Sequence, residues 1–192
     1  TSYMFSEMIR LSLDLLYGHW VWDKDHFNYK FKKESLAAVY FNDPFKKILL
    51  SGWGGFSNLM IKSTTIKRVG GCDRNIFIQD YSLPLRVSGY QYKRKNLKPF
   101  SIGLTKEIIC VAPKFIENRI ITNNAQTLHD QSLASINFLN EHPHVPDSYK
   151  KKLYKKIIRR CWKWKKKNKL ISYFSWDYFN LIKSYLFINE NI

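Results

Sequence analysis

Val69-Gly70-Gly71-Cys72-Asp73, followed by Gln79-Asp80-Tyr81-Ser82-Leu83 and then Arg86, is the stretch on which the reading of this chain turns. Paired glycines supply a sharp turn or a close backbone approach, because no Cβ restricts them. An aspartate follows at once. A second aspartate, Asp80, opens an amphipathic segment that reads as a helix to Ser88, with Pro84 near its first turn and Gly89 as its stop. A carboxylate at a loop–helix junction has two uses. It can cap the helix, or it can take a proton from a bound hydroxyl.

Working outward, apolar spacing predicts a helix from Ser2 to Leu13 and a strand through Leu15-Leu16-Tyr17 and Trp20-Val21-Trp22, kinked at Gly18. Asp23-Lys24-Asp25 reads as its turn and Phe27 to Phe31 as a returning arm. Ser35 to Phe41 is a short helix or strand, broken by Asn42-Asp43-Pro44. Ile48-Leu49-Leu50 precedes a glycine loop, Ser51-Gly52-Trp53-Gly54-Gly55. Phe56 to Ile61 reads as a strand and Ser63 to Val69 as helical turns. Tyr90 to Leu97 and Ile108 to Phe115 alternate as strands do. Asn123 to Asp130 reads as a polar loop, and Gln131 to Asn140 as a helix with Leu133, Ile136 and Leu139 on one face. Pro143 and Pro146 end it, and a boundary falls there. The resulting domains are 1–146, of α/β class, and a basic helical tail, 147–192.

The spacing of the opening stretch resembles the acceptor-side motif of family 2 glycosyltransferases, roughly Val-Gly-Gly-Phe-Asp, a short loop, Glu-Asp-Tyr-x-Leu, then Arg. Asp14-Leu15-Leu16-Tyr17-Gly18 resembles that family's Asp-x-x-Tyr-Gly strand, so the likeness runs from Thr1 to about Leu139. It implies the second half of a GT-A (nucleotide-diphospho-sugar transferase) mixed sheet with flanking helices. The implied reaction is inverting transfer from a nucleotide-sugar donor to a glycan or lipid-linked acceptor, in surface polysaccharide or lipopolysaccharide synthesis.

On this resemblance Asp80 is the catalytic base. Gln79 and Trp53 touch the acceptor, Gly70, Gly71 and Asp73 shape the acceptor-binding loop, and His129 touches a divalent cation (magnesium or manganese) or the diphosphate. Gln79 departs from the family's Glu. It can hydrogen-bond but cannot take a proton. The family's metal-binding Asp-x-Asp is expected to lie before Thr1, in keeping with a chain that opens on threonine and reads as a piece of something longer or a processed product. Asp23 and Asp25 can share a hard cation in principle, but a solvated turn is the preferred reading. Asp130 reads as an N-cap for the helix that follows, and Arg86 as half of an ion pair.

Net charge is +17, yet Lys150 to Lys169 holds 12 of the 32 bases and no acid, leaving the rest of the chain at only +5. Within that stretch Leu153, Ile157, Cys161 and Trp164 share one helical face, and Tyr173 to Phe187 continues it with aromatics. Lys155, Lys156, Arg159, Arg160, Trp162 and Trp164 are therefore candidates for contact with an anionic membrane surface, at the inner face of the cell membrane. A basic helix packing its apolar face on the body is the plainer alternative. Nucleic acid is the less favoured partner, since no nucleic-acid motif accompanies the charge. Cys72, Cys110 and Cys161 are odd in number and widely spaced, which argues against a disulfide framework and suits a reducing, cytoplasmic compartment. No run of about 18 apolar residues is present. An inactive remnant that binds membrane or glycan is the non-enzymatic alternative.

Overall fold

A computed structural model of the chain describes residues 2–23, 37–51, 58–113, 124–168 and 176–191. Its elements in order are α1 (Ser2–Arg10), β1 (Leu15–Asp23), β2 (Val39–Tyr40), α2 (Pro44–Ser51), β3 (Leu59–Ile61), α3 (Ser63–Arg68) and α4 (Gln79–Ser88). A 3₁₀ turn (Tyr90–Tyr92) follows, then β4 (Ile102–Pro113), α5 (Asn124–Glu141), α6 (Asp147–Asn168) and α7 (Trp176–Asn191). The strands form a mixed sheet in the order β2-β4-β1-β3. β1 and β4 run parallel at its centre, while β2 and β3 are antiparallel edges. The class is mixed α/β, as the sequence suggests.

Alternation along β1 divides two apolar layers, because successive strand side chains point to opposite faces. Leu15 and Tyr17 enter the larger core with Phe45, Ile48, Leu49, Leu83, Leu85 and Phe138. Leu16 enters a smaller one with Met4, Met8 and Leu13 beneath α1. The sheet pairing slips on both sides of His19, so the irregularity does fall at Gly18. A Cβ on Gly18 would meet Ile109 Cδ1 at 2.1 Å, which explains the glycine by space.

Four sequence expectations are corrected. Tyr90 to Leu97 is not a strand. Tyr92 N–H bonds back to the Gly89 carbonyl at 2.9 Å, and Asn96 takes a left-handed φ of 68°, so the segment turns. The tyrosines are spent on packing, Tyr90 on Phe100 at 4.6 Å and Tyr92 on Phe45 at 4.9 Å between ring centroids. Asn124 to Asp130 belongs to a helix, not a loop; its polar residues bond within α5 and to the loop before α4. On α5, Ile136 is exposed and does not join Leu133 and Leu139 against the core. Pro84 is the sixth residue of α4, not part of its first turn.

Residues 147–168 are not a separate layer. Leu153 and Ile157 of α6 lie in the same core as Leu15 and Phe45. The boundary at 146/147 thus separates helices, not cores. The expected returning arm at Phe27 to Phe31, and Asp25, lie outside the described residues.

Candidate functional site

Two glycines end α3 through their backbone. Gly71 N–H bonds to the Ile66 carbonyl at 2.9 Å and Gly70 N–H to that of Lys67 at 3.1 Å, with Gly70 and Gly71 at φ of 85° and 76°. That is the Schellman arrangement, in which left-handed residues after a helix satisfy its last carbonyls. At Gly71 conformation alone demands glycine, since nothing lies within 4 Å of a Cβ built there, whereas one on Gly70 would also meet Arg86 Nη2 at 3.1 Å.

Arg86, one helix further on, clamps this turn. Its guanidinium donates to the Val69 carbonyl at 2.5 Å and the Gly71 carbonyl at 2.8 Å. Glu141 stands 3.6 Å away. The ion pair expected of Arg86 is present, but the two carbonyl bonds are closer.

The loop from Asp73 to Ile78 is tied down from three sides. Asp73 Oδ1 accepts the Asn75 N–H at 2.9 Å, and Oδ2 accepts Asn137 Nδ2 of α5 at 3.1 Å. Gln79 Nε2 donates to the carbonyls of Asp73 and Ile76, and Gln79 Oε1 accepts the Asp73 N–H at 3.2 Å. The Gln79 amide is therefore occupied by its own loop. Gln79 and Asp73 thus both shape the loop. Asp130 supplies the third tie, accepting the Phe77 N–H at 3.2 Å and Gln126 Nε2 at 2.6 Å. It sits inside α5 and is no N-cap.

Asp80 stands at the second position of α4, after an N-cap, Ile78, that makes no side-chain capping bond. The backbone amides of Asp80 and Tyr81 at the helix start favour its charged form, but burial outweighs them and raises the Asp80 pKa above the ordinary aspartate value. No basic side chain pairs with it among the described residues. The Asp80 charge also reaches Tyr17 on β1, whose pKa is raised first by burial and then by that charge. Tyr17 is fully buried and its hydroxyl has no hydrogen-bond partner among the described residues.

The helix bearing Asp80 is braced from behind. Tyr81 meets Ser135 Oγ of α5 at 3.1 Å, and Arg160 of α6 donates to that same oxygen at 3.1 Å and to the Gln131 carbonyl at 3.0 Å. The Arg160 guanidinium also stands 4.9 Å from the Tyr81 ring centre.

No family model, curated protein or solved structure matches the chain. The structure brings Gly70, Gly71, Asp73, Gln79 and Asp80 into one neighbourhood, with Arg86 holding its turn. Trp53 lies outside the described residues. His129 is about half exposed at the edge of α5, its Nδ1 3.1 Å from Asp130 Oδ1 and its ring 6.5 Å from that of Trp164. Among the described residues no three of His, Cys, Asp and Glu gather as a metal would require. Asp130, the one acid beside His129, already spends both oxygens on protein donors.

The residues proposed for a membrane divide. Arg160 and Trp162 are buried. Lys156 reaches the Leu49 and Leu50 carbonyls at the end of α2, and burial lowers its pKa to about 8. These three serve the protein interior, which corrects their assignment. Lys155 is part-exposed, whereas Arg159 and Trp164 remain at the surface.

Sequence reasoning missed Tyr17, Asn137 and the bracing role of Arg160. Tyr17 carried a signal, since it stands in the Asp-x-x-Tyr-Gly pattern. Asn137 and Arg160 carried none, because their partners lie 64 and 25 residues away.

Proposed function

We propose that this chain is the acceptor-binding half of an inverting, family 2-like glycosyltransferase, with Asp80 as its general base. The observation that carries the reading is the half-buried Asp80 carboxylate. It is free of any basic partner among the described residues, raised in pKa by burial, and fixed at the first turn of a braced helix. A base is most effective when its pKa approaches the working pH, so desolvation of this kind serves proton abstraction.

In the proposed reaction Asp80 removes the proton of an acceptor hydroxyl. That oxygen bonds to the anomeric carbon of a nucleotide-sugar while the carbon–phosphate-oxygen bond breaks, with inversion. The nucleotide diphosphate leaves. The Gly70–Gly71 turn, held by Arg86, and the loop held by Asp73 and Gln79 keep the base's helix start in place. His129, exposed on α5, is available to touch the diphosphate. Among the described residues no three of His, Cys, Asp and Glu gather to cage a divalent cation. The acceptor is proposed to be a glycan or lipid-linked sugar in surface polysaccharide synthesis at the inner face of the cell membrane.

The test is Asp80→Asn in a protein that carries the preceding half of the domain, assayed against nucleotide-sugar donors and glycan acceptors. Turnover should fall about 10²–10⁴-fold, the usual share of a general base. Donor binding by calorimetry should be unchanged. Near-wild-type turnover in this variant would remove Asp80 from the mechanism.

A further inference from the structure

α7 carries an apolar stripe that the described residues do not cover. Trp176 is 76% exposed, Phe179 53%, Ile182 44% and Leu186 54%. Their spacing of three, three and four residues places them on one side of the helix. The opposite side is the one used inward: Tyr185 donates to the Lys155 carbonyl of α6 at 2.9 Å, and Ile188 is buried. Trp176 and Phe179 stack on each other, rings 5.2 Å apart at 16°, without withdrawing from solvent. Scattered surface apolar residues are normal, whereas four large ones in a line mark a contact surface.

What should cover the stripe is indicated by its neighbour. α6 holds eleven Lys and Arg against the single acid Asp147. Lys152, Arg159 and Lys163 of α6 are exposed and, at spacings of seven and four, share one face. A second protein would have to bring a strongly acidic surface to sit beside them. Another copy of this chain, itself at +17, would be repelled. An anionic phospholipid surface satisfies both features at once: it attracts the bases from a distance and accepts tryptophan and phenylalanine at the headgroup level. Among the described residues no helix is long and apolar enough to cross a membrane, so contact would be lateral.

We infer that the outer face of α7, together with the basic stripe Lys152/Arg159/Lys163 of α6, is a seat for an anionic lipid surface. The seat thus moves from the α6 apolar face, which the core occupies, to the helix packed outside it. This inference does not depend on transferase activity, and its test involves no sugar.

The full chain would be floated with vesicles of phosphatidylcholine alone and of phosphatidylcholine mixed with phosphatidylglycerol, at low and high salt. Binding is expected only to the anionic vesicles and should weaken with salt. Neutralising Lys152, Arg159 and Lys163 to Gln should weaken it about fivefold for each base. Trp176→Ser/Phe179→Ser/Leu186→Ser should reduce it at least about tenfold, since each buried apolar group adds its own share. These side chains are exposed, so the folded state should survive, which circular dichroism checks; single Trp176→Ser is the milder second variant. Three results would overturn the inference: no flotation, equal flotation with neutral lipid, or full retention in both α7 variants. A dimer in sedimentation that is lost in the triple α7 variant, without vesicle binding, would assign the stripe to a second copy. Oligonucleotide binding that persists while vesicles fail would assign the bases to nucleic acid.

Discussion

Arg86→Met tests whether the Gly70–Gly71 turn is held from α4. Methionine keeps most of the buried stem and removes the guanidinium. Two charge-assisted bonds are lost, to the Val69 carbonyl at 2.5 Å and the Gly71 carbonyl at 2.8 Å. Each bond of this kind contributes about 1.5–3 kcal/mol. The two are not equally exposed to loss. Gly71 is half-exposed, so water can replace the arginine there, whereas Val69 is only 2% exposed. Arg86 Nε is buried without a partner among the described residues, and its removal returns part of the cost. The balance is a destabilisation of about 2–3 kcal/mol, a sizeable share of the roughly 5–15 kcal/mol that holds a domain folded. The ion pair is a separate matter. Glu141 is 3.6 Å away with its side chain 41% exposed, and such a pair contributes at most about 1 kcal/mol. Urea unfolding followed by tryptophan fluorescence gives both numbers on the same chain. Arg86→Met should shift the midpoint with little change in slope, and Glu141→Gln should barely move it. A loss below about 1 kcal/mol for Arg86→Met, or an equal loss in Glu141→Gln, would refute the clamp.

His142 should make the protein acid-labile. Its ring is buried, stacked 4.0 Å from Phe138, and its Nδ1 donates to the Phe138 carbonyl at 2.8 Å; burial, with Lys93 and Arg86 nearby, lowers its pKa to about 4. Between the ordinary histidine value and about 4 the unfolded chain holds a proton that the native chain refuses, so stability falls as pH falls, by on the order of 2–3 kcal/mol over that window; a His142→Phe variant that keeps the same pH slope would exclude this cause. Asp80→Asn should stabilise the protein at neutral pH. A raised aspartate pKa makes the native state the better proton binder, so the ionised group costs stability above its folded pKa and costs none well below the ordinary value of 3.8. The gain should vanish in acid, and a lower urea midpoint for Asp80→Asn at neutral pH would show that the carboxylate acts as a structural cap instead.

Legibility followed the range of the interactions. β1, α3 and α4 could be read because their signals are local: the apolar run Leu15 to Tyr17, a Gly-Gly stop after Arg68, and an acid at the start of an amphipathic run. The alternation of Tyr90 and Tyr92 was equally local and misled, since the aromatic partners Phe100 and Phe45 decide where those rings go. Asn124 to Asp130 misled for a related reason. Its polarity serves a bond from Phe77, 53 residues away, and so marks a helix facing a loop instead of a loop itself. The site shows the same limit at closer range. Asp80 could be selected by residue type and position. That Gln79 and Asp73 would be consumed by their own loop could not, because any amide or carboxylate there looks free until the turn closes on it.

The tail shows what periodicity leaves undetermined. The pattern in α6 established an apolar stripe among lysines, and two surfaces can satisfy such a stripe: a bilayer or the body of the protein. Three contacts decide between them. Leu153 is fully buried in the core shared with Leu15. Lys156 closes the end of α2, and Arg160 joins Ser135 behind Tyr81. Each is a bond or contact that a lipid surface could replace only by taking α6 away from the helix that carries Asp80. The basic segment is thus structurally part of the proposed catalytic half. If a membrane is engaged, it is engaged by what α6 leaves outside: its exposed bases and the helix packed against it.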